Sequence, residues 1–134
     1  MKEMTMGEQL ALTRSILDLL DGWHLESAEM IKLLDMPASV KPRNFARFRE
    51  DTPFPNEPQV MARISYLLRI SDALRTTYPA NPHMRNHWMK QKNRRFRNRE
   101  PLSLIMTGGE GGLARVLGEL DCTFAWDMTG SRPC

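Results

Sequence analysis

Apolar residues recur at intervals of three and four along most of this chain, which is the spacing of one face of an α-helix. The cleanest stripe is Leu113, Val116, Leu117 and Leu120, after which the last helix is expected to end. Gly22 is expected to stop the first helix, and Gly108-Gly109 to break the last two apart. No alternating pattern of strand length is present. The sequence therefore predicts an all-α fold, with helices over residues 8–21, 27–35, 42–51, 57–78, 81–92, 101–106 and 110–120.

Residues 23–51 have the proportions of a helix-turn-helix, with a tight connection over residues 35–39. If Phe45 and Phe48 face inward, the third helix exposes a polar, basic face. Arginine and asparagine suit the edges of guanine and adenine, and cationic side chains neutralise phosphates. The same pattern also fits a basic surface helix that binds no DNA. The residues predicted to contact DNA are Lys41, Arg43, Asn44, Arg47 and Arg49.

The formal net charge of +3 conceals a strong segregation along the chain. Residues 1–37 and 100–134 are acidic, residues 38–84 are mildly basic, and residues 85–99 contain seven basic residues and no acidic one. A basic segment between acidic ends suggests a polyanionic partner on one surface and a different partner elsewhere. Solvated helix faces without a partner are the simpler alternative. The irregular stretch after Lys92 offers no regular face for reading a DNA groove, so residues 85–99 are not expected to select a DNA sequence.

A succession of irregularly spaced residues in the second half of the chain is more specific. It consists of Trp88, Asn93, Phe96, Pro101, Leu102, Gly111, Val116 and Leu120. This succession resembles the toxin-binding domain of the Xre/MbcA/ParS antitoxin family. The order of the preceding parts is also similar to that of Xre-type members, with a helix-turn-helix and then a long helix that carries Arg-Ile-x-x-Leu-Leu-x-Ile at residues 63–70. Two departures are that Asn98 and Asp35 stand where such patterns often have glycine.

The resemblance implies a domain organisation and a function. It predicts a helix-turn-helix region over residues 1–56, a connecting or dimerisation helix over residues 57–80, and a toxin-binding domain with a tail over residues 81–134. The implied protein is a type II antitoxin that binds a RES-like toxin acting on NAD or transferring ADP-ribose. It would also bind operator DNA as a homodimer within a larger toxin–antitoxin complex. A stand-alone helix-turn-helix regulator without a toxin is the alternative, and residues 85–99 would then hold phosphates rather than an acidic toxin surface.

The tail after Leu120 contains large apolar residues that need a surface on which to pack. They either fold back on this chain or anchor the toxin, with polar groups and the terminal carboxylate reaching the toxin's NAD site. Resemblance favours the second interpretation. The residues predicted to bind the toxin are Phe124, Trp126, Asp127, Arg132 and Cys134.

Other chemistry is poorly represented in the sequence. No apolar run approaches the length of a membrane span, and the N-terminus lacks a signal-peptide pattern. Two cysteines are too few for a disulfide framework, so reduced thiols in a cytoplasm are expected. His83 and His87 share a helix face, but no H-E-x-x-H motif accompanies them. We therefore expect no enzyme activity, no cofactor, no metal site and no membrane partner.

Overall fold

The structure is a computed structural model that describes the backbone of residues 4–129 and the side chains of residues 4–121. Within these residues every regular element is a helix, as predicted, and an isolated bridge joins Asn93 to Arg99. None of the described helices combines the length and the apolar character needed to cross a membrane. The helices are α1 (Met6–Gly22), α2 (Ser27–Leu33), α3 (Arg47–Glu50), α4 (Pro58–Thr77), α5 (Pro82–Lys90) and α6 (Pro101–Thr129), and two short 3-10 segments cover Pro42–Asn44 and Arg94–Phe96.

Contacts divide the chain into two compact units, Met1–Ile64 and Ser65–Cys134. The boundary falls inside α4, so this helix contributes residues to both units. The separate connecting helix that the sequence suggests over residues 57–80 stays a prediction.

In the first unit, α1 begins with a capping box. The Thr5 hydroxyl accepts from the Glu8 N–H, and the Glu8 carboxylate accepts from the Thr5 N–H, both at 3.1 Å. The helix ends at Gly22, as predicted, but Gly22 does not adopt the left-handed conformation. His24 does so instead, with φ 60°, and the Leu25 N–H donates to the Leu20 carbonyl at 3.3 Å.

The end of α2 uses Asp35 where helix-turn-helix patterns often have glycine. Asp35 adopts φ 52°, which aspartate tolerates better than most residues. The Met36 N–H donates to the Ile31 carbonyl at 3.1 Å, and the guanidinium of Arg63 donates to the Leu33 carbonyl at 3.0 Å. The departure from glycine therefore leaves the turn intact.

The predicted single helix over residues 42–51 is wrong. Its place is taken by the 3-10 segment Pro42–Asn44 and by the single turn of α3. The expected inward face is nevertheless present, since Phe45 and Phe48 are 1% and 2% exposed and pack edge to face at 5.2 Å between ring centroids. Phe54 joins this aromatic cluster from the break that precedes α4. Tertiary packing of the rings, rather than helical propensity, therefore holds this segment, and the specific helix-turn-helix arrangement stays a prediction.

The predicted helices over residues 57–78 and 81–92 correspond to α4, whose second part lies in the second unit, and to α5, with Asn81 as its N-cap. The core face of α4 there consists of Leu67, Ile70 and Leu74, each at most 1% exposed. In α5 the fully buried residue is Met89. Trp88 is half-buried.

Candidate functional site

The loop between α5 and α6 is closed on itself by backbone hydrogen bonds. The Asn93 N–H donates to the Arg99 carbonyl at 3.1 Å, and the Asn98 N–H donates to the Asn93 carbonyl at 3.0 Å. The turn places two successive residues in the left-handed region, Arg97 at φ 55° and Asn98 at φ 62°. Asn98 thus supplies the positive φ for which the sequence pattern favours glycine.

Phe96 fixes this loop to the second unit. Its side chain is 2% exposed, and the Trp88 ring meets it edge to face at 6.5 Å between centroids. The guanidinium of Arg115 lies 5.4 Å from the Phe96 ring centroid and donates to the Arg95 carbonyl at 3.3 Å. Arg95 in turn pairs with Glu119 at 3.6 Å. The structure therefore brings the motif residues Trp88 and Phe96 into contact. It also places Arg115 on the Phe96 ring, a residue that no spacing pattern in the sequence indicates.

The α6 element is two helical arms separated by a sharp break. Gly109 has φ 59° and ψ −142°, which lies outside the helical region and confirms the predicted break at Gly108-Gly109. A Cβ on Gly112 would lie 2.2 Å from the Leu104 carbonyl oxygen, so the second arm passes very close to the first. Gly111, the glycine singled out by the sequence pattern, is exposed and has no atom within 4 Å of such a Cβ. The turn and the close approach therefore belong to its neighbours Gly109 and Gly112.

The second arm of α6 carries the predicted apolar stripe. Leu113, Val116, Leu117 and Leu120 are all buried, with exposures between 0% and 5%, which confirms the inward face read from their spacing. Leu104 and Ile105 of the first arm are also buried. Pro101 is buried at the first position of α6, where proline costs no hydrogen bond, and Leu102 is half-buried.

The last helix does not end near Leu120 as predicted, because helical backbone continues through Thr129. The side chains of Phe124, Trp126 and Asp127 lie outside the described residues, as do Arg132 and Cys134 entirely. Their contact with a toxin stays a prediction.

The five residues predicted to contact DNA, which lie between Lys41 and Arg49, are all exposed in the first unit. They lie on the 3-10 segment, on α3 and in the adjoining turns, rather than on one continuous helix. The Arg47 guanidinium lies 5.2 Å from the Phe48 ring centroid. Arg49 donates two hydrogen bonds to Asp21, and these bonds lower the pKa of the Asp21 carboxyl and raise that of Arg49.

Other candidate chemistry is sparse in the described part of the chain. No group of three or more His, Cys, Asp or Glu side chains is placed to share a metal ion among the residues described. The His83 and His87 rings stack at 6.3 Å between centroids on the exposed face of α5. The organised feature of the second unit is therefore the anchored loop and the two arms of α6, an arrangement suited to presenting a rigid surface.

Comparison with known protein families identifies this part of the molecule. A family model described as the antitoxin Xre/MbcA/ParS C-terminal toxin-binding domain matches residues 73–122. The matched segment runs from the last turns of α4 through α5 and the anchored loop into the second arm of α6. A comparison with curated proteins found no match.

Proposed function

Through residues 73–122 this chain belongs to the Xre/MbcA/ParS antitoxin family, and we propose that it binds a RES-like toxin and blocks that toxin's NAD site. The role proposed is binding and steric exclusion, not catalysis. The single observation that carries the proposal is the family match, since a toxin-binding domain implies a toxin partner. The packed arms of α6 and the anchored loop support it, because a preformed surface loses little conformational entropy on binding.

Neutralisation is assigned to the second unit and the tail. The tail residues Phe124 and Trp126 continue from a helix whose Leu120 is fully buried, so the tail starts from a fixed point. Residues that carry much of the binding energy of an interface are enriched in tryptophan, tyrosine and arginine, and they lie in well-packed pockets. Arg132, Asp127 and the carboxylate of Cys134 would then occupy polar groups that otherwise hold NAD.

DNA binding is assigned to the first unit. Arg43, Asn44 and Arg47 would contact base edges, while Lys41 and Arg49 would contact phosphates. The exposure of all five residues supports this assignment. A homodimer would present two such surfaces to operator half-sites about 34 Å apart, and would repress its own operon in the cytoplasm.

Co-expression tests the antitoxin function directly. The product of the neighbouring open reading frame is expressed under an inducible promoter, with and without this chain, and growth is measured. We expect growth arrest with that product alone, rescue with both proteins, and co-purification of the untagged product with the tagged chain. Rescue should persist in the Arg43→Ala, Arg47→Ala variant, whose changes lie in the first unit. Absence of any complex and of rescue would leave the stand-alone regulator as the better description.

A further inference from the structure

Six of the seven cations between residues 85 and 99 fall into two groups, and the seventh, Lys90, is half-buried. Three have internal roles. The Arg85 guanidinium donates to the carbonyls of Tyr78 and Pro79 at 2.9 and 2.7 Å, the Arg99 guanidinium donates to the Thr107 hydroxyl at 3.1 Å, and Arg95 pairs with Glu119. These three cations fasten the ends of α4 and α6 and the loop between α5 and α6.

The second group has no such role. Lys92, Arg94 and Arg97, which we call the basic loop cations, are exposed, and their side chains make no hydrogen bond or ion pair with any described residue. Lys92 and Arg94 line one open groove with Trp88, Gln91 and Asn93. Neighbouring cations without counter-charges raise the local electrostatic potential, which attracts anions.

The backbone beneath these cations is already ordered. The hydrogen bonds between Asn93 and Arg99 and the burial of Phe96 hold the loop in one conformation. Binding therefore costs mainly the ordering of three side chains rather than of the loop itself.

The chemistry of this surface is that of a nucleic-acid interface more than of a protein interface. The centre of a protein interface is enriched in aromatic residues, methionine and arginine, is depleted of lysine, and carries few charged residues overall. Here Trp88 is half-buried against Phe96. Among the described residues, the large apolar side chain that is exposed is Met6, which lies in the first unit and not on this loop. Protein–DNA interfaces are more polar and more positively charged.

We propose that the basic loop cations bind the phosphate backbone of duplex DNA without reading its sequence. The second unit would then add a salt-dependent affinity for any duplex. This proposal stands whether or not the first unit reads an operator, because it concerns non-specific binding alone.

Two variants of equal charge test the proposal. One carries Lys92→Gln, Arg94→Gln and Arg97→Gln, and its matched control carries Arg14→Gln, Lys32→Gln and Arg69→Gln, three exposed cations elsewhere. Each variant lowers the net charge from +3 to zero. Binding to a random-sequence duplex is measured by fluorescence anisotropy over a series of salt concentrations. The duplex has about 30 base pairs, which is long enough for the electrostatic contribution to be resolved.

For the loop variant, we expect the slope of log K against log salt concentration to become shallower by about 2–3, since each phosphate contact contributes about 0.9. Its affinity at low salt should fall at least about tenfold, and the control should stay close to the wild type. Circular dichroism checks that both variants fold. If the triple variant does not fold, Lys92→Gln with Arg94→Gln should still reduce the slope by about 2.

Three results would overturn the proposal. One is a loop variant with the slope of the wild type. Another is an equal loss in loop variant and control, which would assign the effect to net charge. The third is unchanged DNA binding with loss of the complex formed with the neighbouring gene's product, which would make the loop a docking site for an acidic protein. The antitoxin function is scored separately by growth rescue, so failure of one proposal does not imply failure of the other.

Discussion

The guanidinium of Arg49 donates two hydrogen bonds to the carboxylate of Asp21, with N–O distances of 2.8 and 2.9 Å. This bidentate pair ties the end of α3 to the last turns of α1, across 28 residues of sequence. It also distinguishes Arg49 from the other residues predicted to contact DNA, because its charge already has a partner. Both side chains are 44% exposed, so the pair is weak and remains accessible to a phosphate.

Replacing Asp21 with asparagine should make folding less dependent on pH. The hydrogen bonds from Arg49 lower the pKa of Asp21 below its usual value of 3.8, so its stabilising effect is present above that pH. The effect is lost as the pH falls below 3.8 through the lower pKa of the folded state. We expect Asp21→Asn to cost about 0.2–1 kcal/mol at pH 7 and much less at pH 2, as measured by urea unfolding.

The matched control for this measurement is Glu50→Gln, since Glu50 is exposed and makes no hydrogen bond or ion pair with the described residues. Its stability should follow that of the wild type at both pH values. An Asp21→Asn variant that loses as much stability at pH 2 as at pH 7 would show that the pair is not the source of the effect.

Operator binding is expected to depend on Arg43 and Arg47. Loss of a base-contacting arginine costs about 1–3 kcal/mol, so Arg43→Ala with Arg47→Ala should weaken binding to the DNA upstream of the gene by at least about tenfold. Electrophoretic mobility shift measures this affinity, and Arg14→Ala with Arg69→Ala provides a control with the same loss of charge. Wild-type affinity in a correctly folded Arg43, Arg47 variant would refute the assignment.

Charge reversal in the second unit should leave sequence preference unchanged. Arg94, Arg95 and Arg97 lie on a 3-10 segment and its cap, which offers no regular face for a DNA groove. We expect Arg94→Glu, Arg95→Glu and Arg97→Glu to weaken binding to all duplexes while binding-site enrichment selects the same sequence. Selection of a different sequence would place the reading surface in this loop.

Two glycines of α6 should respond oppositely to alanine. Because a Cβ on Gly112 would lie 2.2 Å from the Leu104 carbonyl oxygen, Gly112→Ala must push the two arms apart, at a cost of about 1–3 kcal/mol or more. Gly111 has open space, and Gly111→Ala should be neutral or stabilising by up to about 1 kcal/mol. Thermal unfolding of both variants measures the difference, and equal stabilities would contradict the close approach.

A tail deletion should separate neutralisation from folding. Removal of residues 122–134 leaves the buried stripe that ends at Leu120, so the protein should fold and bind DNA but fail to rescue cells that express the toxin. Phe124→Ala with Trp126→Ala in the full chain should weaken toxin binding by about 30-fold or more if these residues are interface anchors. Rescue by the truncated chain at equal abundance would exclude the tail as inhibitor. Loss of folding would instead mean that the tail packs on its own domain.

Much of this architecture follows from the sequence alone. The stripe from Leu113 to Leu120 specifies its own buried face, because helical periodicity is a local property of the chain. The break at Gly108-Gly109 is also local, since glycine acts on its own backbone. The resemblance to the toxin-binding domain is recognisable for the same reason, because its motif residues are spaced along one continuous stretch of sequence from Trp88 to Leu120.

The tertiary structure decides which of several equivalent residues does each task. Gly109 makes the turn in α6 and Gly112 permits the close approach of the two arms, whereas Gly111 does neither, because only the path of the first arm determines where a Cβ would collide. Arg115 lies over Phe96 and Arg49 pairs with Asp21 through contacts 19 and 28 residues apart, which no local pattern specifies. The segment after Pro42 likewise breaks into two short pieces, since burying Phe45 and Phe48 against Phe54 outweighs the continuity of one helix.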